Sequence, residues 1–305
     1  RLGYILVTLW VIVTCTFFMM KNLPGTPFDA ERFSIMTPQQ QERVLEMYGL
    51  NDSLPMQYVK YIKNMLKGDL GTSFTYVNQD VSKVITGRLG PSALIGIQAV
   101  LIGLAIGLIL GMLAAWKHNS GIDYFTMILA VLGVSVPNFV AAALLQYYIG
   151  LKWGVLPVGF WTGWNCSVLP SIALSFSATA MVARFMRTEM LDVLDQDYIV
   201  TARAKGLSQM KVLMRHAVRN SILPVVTILG PIVVNLMTGS LAVENIFSIP
   251  GIGSLFVDCI KANDYPVIMG ITIFYAAFYM LIVLLVDLAY SLIDPRIRLA
   301  KGKES

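Results

Sequence analysis

The sequence predicts an all-α membrane protein of six transmembrane helices with both termini on the cytoplasmic face. Composition is the first ground for this. Of 305 residues, 56% are hydrophobic and 13% are charged, with a mean hydropathy of +0.67. Soluble domains carry about 25% charged residues, so the chain lacks the polar surface to coat a globule of its size. The same composition excludes a disordered chain. The second ground is the spacing of the charges. Six windows, residues 2–20, 89–116, 124–151, 153–183, 220–243 and 265–286, contain no Asp, Glu, Lys or Arg. The shortest has 19 residues and the next longest gap, 245–257, has 13. A helix needs roughly 20 apolar residues to cross the hydrocarbon core, and continuous apolarity without alternation selects helices over a barrel. The third ground is the placement of Lys and Arg. With an inside N-terminus, the inner segments (residue 1, 117–122, 184–219 and 294–305) hold 13 of the 23 basic residues, while the two short outer loops hold only Lys152 and Lys261. This is the positive-inside pattern; the net charge of +5 is an orientation signal and not a nucleic-acid footprint.

Taken in order, residues 1–20 form the first span. The window exceeds the roughly 7–15 residues of a signal-peptide core, and Lys21-Asn22-Leu23-Pro24-Gly25 is no small-residue cleavage site, so the span is read as retained. Residues 21–93 form an extracytoplasmic segment that is nearly charge-balanced and structured. Thr37 as N-cap, Pro38 in the first turn and Gln40 three residues after the cap predict a helix to about Tyr48, closed by Gly49. A second helix from about Pro55 to Gly68 places Tyr58, Ile62, Met65 and Leu66 on one face. This small helical cap either contacts a partner or folds back onto the span ends.

Residues 94–290 form a core of five further spans. The second span of the chain carries Gly103, Gly107 and Gly111 at four-residue intervals, a spacing that lets helix backbones approach closely; the sharper alternative is a gating hinge. Pro137 in the third span, Pro170 opening the fourth, and Pro224 and Pro231 in the fifth each remove a helical hydrogen bond and invite kinks. Trp153, Trp161 and Trp164, with Pro157 and Gly159, mark an outer interfacial loop. Cys166 and Cys259 share the outer side, as a disulfide or as buried free thiols.

The inner loop 184–219 carries seven basic and four acidic residues. It continues the fourth span to about Leu194, forms a short helix from Tyr198 to Lys205 ending at Gly206, and starts another at Ser208. It is either a docking knob or a solvated linker. Residues 291–305 are a cytoplasmic tail.

Several classes are excluded. There is no G-x-x-x-x-G-K-[ST] phosphate loop. The two histidines, His118 and His216, fall on inner loops, so neither a membrane-depth catalytic base nor a paired-histidine metal or haem site can be built. No acid or base sits at the centre of a span, which argues against ion-coupled pumping.

The run Asp197-Tyr198-Ile199-Val200-Thr201-Ala202-Arg203-Ala204-Lys205-Gly206-Leu207, with His216-Ala217-Val218-Arg219-Asn220-Ser221-Ile222-Leu223-Pro224 after it, resembles the "EAA" loop of the membrane permease subunits of bacterial ABC importers for oligopeptides and dipeptides. Thr201-Ala202-Arg203 stand where the broad pattern has Glu-Ala-Ala, which suits the peptide branch. Leu23-Pro24-Gly25, Glu244-Asn245-Ile246-Phe247-Ser248-Ile249-Pro250-Gly251-Ile252-Gly253 and Ile293-Asp294-Pro295-Arg296-Ile297-Arg298 match as well.

The resemblance implies the type I ABC importer permease fold in the bacterial plasma membrane, multi-pass, with a small helical insertion after the first helix. It implies a second, homologous permease, two cytoplasmic ATPase subunits that bind ATP and Mg, and an extracytoplasmic peptide-binding protein. This chain itself would be no enzyme and bind no cofactor. Tyr198, Thr201, Ala202, Arg203, Ala204, Lys205, Gly206 and Leu207 would be the coupling helix, Ala202, Ala204 and Gly206 allowing close approach and Arg203 and Lys205 pairing with acids. Ser135, Asn138, Ser175, Ser177, Thr179, Asn235 and Thr238 are candidate linings of a peptide path, or else hydrogen-bond between helices. Pro250, Gly251, Ile252 and Gly253 are a candidate outer gate. A nickel-chelate or other small-solute permease is the alternative within the family; a stand-alone channel is the alternative outside it.

Overall fold

The computed structural model describes residues 2–22, 33, 35–47, 49–76 and 79–293. The motif at Leu23-Pro24-Gly25 and the tail from residue 294 lie outside the described residues. The helices are α1 (Leu2–Lys21), α2 (Pro38–Met47), α3 (Leu54–Leu66), α4 (Val81–Trp116), α5 (Gly121–Ser135), α6 (Asn138–Leu145), α7 (Val168–Leu194), α8 (Asp197–Ala204), α9 (Gln209–Val212), α10 (Arg219–Ile246), α11 (Ile252–Lys261) and α12 (Tyr265–Ile293). A π-helical turn extends α6 through Gln146–Lys152, and a second one, Leu213–Val218, joins α9 to α10. Among the described residues there is no strand, only an isolated bridge between Thr72 and Asp80.

Five helical stretches are long and apolar enough to cross a membrane, and a sixth if α5 and α6 with its π turn count as one span. Those two are bent by 100°. The sequence predicts a kink at Pro137; the structure has a full break. The proline ring disfavours helical backbone at the residue before it, and Val136 is extended at φ −82, ψ 118. Pro224 and Pro231, by contrast, are absorbed within α10.

The chain divides into two compact units. The first comprises residues 1–90 and 254–280. Here Thr37 and Gln40 form the predicted reciprocal capping box: Thr37 N donates to Gln40 Oε1 at 2.9 Å and Gln40 N to Thr37 Oγ1 at 3.4 Å. Gly49 and Gly68 close α2 and α3 at φ +65 and +82, as left-handed C-terminal glycines do. The cap folds back onto α1. Phe17 meets Tyr58 edge-on at 5.3 Å, and the hydroxyls of Thr14 and Tyr58 are 2.7 Å apart. Tyr58, Tyr61, Ile62 and Met65 form the packed face, whereas Leu66, predicted to join it, is 78% exposed. Asp264, fully buried, accepts from Ser73 Oγ at 2.5 Å and Thr75 N at 3.0 Å and so fastens the 73–75 turn to the start of α12.

The second unit comprises residues 91–253 and 281–305. Its core is α4, α7 and α10, with α5 and α6 packed on α7. The glycine ladder is a packing device. A Cβ added at Gly103 would lie 2.7 Å from Ala178 Cβ, at Gly107 2.8 Å from the Thr179 carbonyl, and at Gly111 2.6 Å from the Ala183 carbonyl. The backbones of α4 and α7 therefore touch, which is the contact small residues permit where lipid supplies no hydrophobic drive. The tryptophan-bearing loop is tied down: Gln146 Nε2 donates to the carbonyls of Val158 and Ile246 at 2.6 and 2.8 Å, and Phe160 N to that of Phe247 at 2.8 Å. All three cysteines are free thiols.

Candidate functional site

The short helix α8 is where sequence points most directly to function. Gln196 precedes it in extended conformation and Asp197 places a carboxylate in its first turn, where the helix dipole favours negative charge. Ile199 and Ala202 are buried and pack with Val212 against Val193, Leu194 and Leu207. The helix is thus seated on the end of α7 by an apolar face of its own. Tyr198, Thr201, Arg203, Ala204, Lys205 and Gly206 are exposed, and Leu207 is half-buried. Ala202, expected among the residues of close approach, instead faces inward. The Tyr198 hydroxyl accepts from Asn220 Nδ2 at 3.1 Å, linking α8 to the start of α10. Gly206 ends the element at φ +78, its N–H donating to the Arg203 carbonyl at 2.9 Å. Among the described residues neither Arg203 nor Lys205 has an ion-pair partner. The result is a seated knob with two uncommitted cations.

The candidate path residues do not form one surface. Ser175 is buried and Ser177 half-buried, and both donate within their own helix, to the carbonyls of Ile172 and Leu174. Ser135 is exposed and Asn138 half-buried on either side of the break at Pro137. Thr179 lines a cavity of about 570 Å³ between α5, α6 and α7, where Leu129, Leu144, Tyr148 and Phe176 dominate and Thr126 is the other threonine. Asn235 and Thr238 lie on α10 with side chains outside the described set.

The turn 248–253 is pinned. Glu244, fully buried, accepts from Ser92 Oγ at 2.8 Å and from Gly253 N at 2.8 Å, while Ser92 Oγ itself accepts from Ile252 N at 2.8 Å. The carboxylate thereby caps the start of α11, where free N–H groups need an acceptor. A Cβ at Gly251 would collide with the Glu244 carboxylate and lie 2.5 Å from Ser92 Oγ. Gly251, Ile252 and Gly253 are buried and Pro250 half-buried.

A third buried acid, after Asp264 and Glu244, has no assignment at the level of sequence. Asp123 is 1% exposed; it receives Arg187 Nε at 2.5 Å, Arg187 Nη2 at 2.8 Å and Asn119 N at 3.0 Å, with His118 Nδ1 at 3.1 Å. In sequence, Asp123 and Glu244 only mark the ends of charge-free windows. Their one signal is that an acid abuts a long apolar run, where it must find a partner.

Burial, with the nearby Asp264 and Asp258 carboxylates, pushes the Cys259 thiol up to about 12, so it stays protonated. Among the described residues no group of three His, Cys, Asp or Glu side chains is arranged to hold a metal ion.

The multi-helix membrane core, with the short helix α8 seated on the end of α7, belongs to a class, the inner-membrane transport permease. The chain belongs to the family of binding-protein-dependent transport system inner membrane components: that family's profile matches residues 107–299, and the profile of its N-terminal region matches residues 1–91. It is a multi-pass protein of the bacterial inner membrane. It is 46% identical to the dipeptide transport system permease protein DppB of Lactococcus lactis subsp. cremoris, over 98% of both chains. It is 44% identical to DppB of Bacillus subtilis over 96% of this chain and 95% of that one, and 38% identical to the oligopeptide transport system permease protein OppB of Haemophilus influenzae over 98% and 97%. Two solved structures share the fold. The MetNI methionine ABC transporter in an inward-facing form aligns with TM-score 0.56 at 14% identity, covering 70% of this chain and 95% of that one. An amino acid ABC transporter aligns with TM-score 0.53 at 19% identity, covering 70% and 94%.

Proposed function

We propose that this chain is one of two permease subunits of an ATP-driven importer that carries dipeptides or oligopeptides across the bacterial plasma membrane. The single observation that carries the mechanism is α8: a helix seated on the end of α7 by Ile199 and Ala202, offering Arg203, Ala204 and Lys205 outward. ATPase subunits that bind ATP and Mg dock on this helix, and their closure moves α7 with it. The basic-residue distribution supports a cytoplasmic position for residues 184–219 and for both termini, and an extracytoplasmic position for residues 21–93, where the α2–α3 cap faces the peptide-binding protein. Residues 94–290 are the permease core and 291–305 the cytoplasmic tail.

Peptide as cargo is supported by the relatives, which are named dipeptide and oligopeptide permeases and match nearly end to end. They favour peptide over a nickel chelate or another small solute. The path runs against the second permease, with Ser135, Asn138, Ser177, Thr179, Asn235 and Thr238 as candidate polar groups along it, while Ser175 is buried and bonded within its own helix. The pinned turn 248–253 acts as a firm outer rim, and Ser248, exposed at φ +51, is its position for crosslinking to the binding protein.

The deciding experiment is purification together with the second permease, the ATPases and the binding protein, followed by ATP hydrolysis in proteoliposomes. Two ATPases should co-purify, and binding protein loaded with peptide should stimulate hydrolysis. Equal stimulation by unloaded and peptide-loaded binding protein would remove the peptide reading.

A further inference from the structure

Asp123 and Arg187 meet where α5 begins and α7 nears its end. Their contact is a planar two-bond fork, the guanidinium giving Nε to one carboxylate oxygen and Nη2 to the other. The same carboxylate draws in Asn119 N and His118, so the whole turn 117–120 between α4 and α5 is gathered onto α7. Gly111 reaches this level too, since a Cβ there would lie 3.2 Å from Arg187 N.

The pair, with Asp123 buried and 22% of the Arg187 side chain exposed, loses part of its Coulomb attraction to desolvation. What it supplies is a fixed register. The apolar contacts between α5 and α7, such as Gly133 against Ala180 and Phe176, could slide; a two-bond fork cannot slide without breaking. From Arg187 the helix α7 runs seven more residues to Leu194, about 10 Å along its axis, and there Val193 and Leu194 receive Ile199 and Ala202 of α8.

We propose that Asp123 and Arg187 are positioning residues that lock the start of α5 to α7, so that displacement of α8 is carried into the bent pair α5–α6. The proposal rests on α8 being the coupling helix. It joins α8 to the wall of the 570 Å³ cavity through one continuous set of contacts, α8 on Val193 and Leu194, α7 on Asp123, and α5 to the break at Pro137. A contiguous route is a physical claim only if breaking it changes coupling.

The test uses the assembled transporter in proteoliposomes and reads peptide carried per ATP hydrolysed. Asp123→Asn keeps the shape and removes the charge; Arg187→Lys keeps the charge and removes the fork. Asp123→Asn should lower peptide carried per ATP by about tenfold, with the ATPases still bound and basal hydrolysis intact. Arg187→Lys should fall between that and the unmodified protein. Should Asp123→Asn fail to assemble, Arg187→Lys alone decides. An unchanged ratio of peptide to ATP in either assembled variant overturns the proposal, because a purely structural pair alters the yield of complex and not that ratio. Failure of the underlying reading looks different: Ala204→Glu would then leave the ATPases bound.

Discussion

Gly107 sits where two helix backbones touch, and the cost of a single methyl group there follows from the geometry. A Cβ would lie 2.7 Å from Val182 Cβ and 2.8 Å from the Thr179 carbonyl, so a backbone must move. Overpacking of this kind costs about 1–3 kcal/mol. Gly96, on the same helix, has open space around its Cβ position, and alanine there gains about 0.4–1 kcal/mol from the reduced freedom of the unfolded chain. Gly107→Ala should therefore lower the melting temperature of the detergent-solubilised protein while Gly96→Ala holds or raises it; equal shifts would contradict the ladder as a close contact. Glu244 gives a second residue-scale prediction. Its two carboxylate oxygens accept from Ser92 and Gly253, and an amide offers only one acceptor oxygen in the same shape. Glu244→Gln should lose the charge-assisted acceptor and force Ser92 Oγ to accept from the new amide instead of donating, a loss of about 1–3 kcal/mol, read as reduced thermal stability. Neither acid is interpretable from local sequence, since Glu244 finds Ser92 152 positions away and Asp123 finds Arg187 64 positions away.

Among elements, α8 separates what the sequence states from what packing decides. The start, the end and the glycine turn at Gly206 are legible because each depends on neighbouring residues alone. Which face points outward is not, since that is set by Val193, Leu194 and Val212 from flanking segments. The distinction makes a sharp experiment. Ala202→Glu would put a charge into the apolar seat and loosen α8 itself. Ala204→Glu leaves the seat untouched and places a carboxylate on the exposed face beside Arg203 and Lys205. Ala204→Glu should insert in the membrane at normal levels yet lose the ATPases on purification and lose uptake; normal uptake would remove the coupling role. Gly206→Glu should fail as well, but less cleanly, because a side chain at φ +78 adds backbone strain of about 1–2 kcal/mol. The third window shows the same limit at the scale of a span. Its length and Pro137 were visible, but whether a proline bends or breaks a helix depends on what receives the freed backbone, and here α7 packs against both halves.

Across the whole molecule, the charges decide the source of energy. Membrane proteins that harvest an ion gradient carry ionisable side chains at mid-depth, and the six apolar windows hold none. Among the described residues the three buried acids lie where windows end, and each is engaged: Asp123 with Arg187, Glu244 with Ser92 and the start of α11, and Asp264 with Ser73 and Thr75. In the proposed reading, ATP-driven closure acts through the exposed face of α8, where neither Arg203 nor Lys205 has an ion-pair partner among the described residues. Uptake into vesicles charged with ATP should therefore be unaffected when the proton gradient and membrane potential are collapsed by an ionophore, and should stop when ATP is withdrawn with the gradient intact. Uptake that tracked the gradient instead of ATP would mean that a buried carboxylate titrates after all, and Glu244→Gln would then be expected to abolish it.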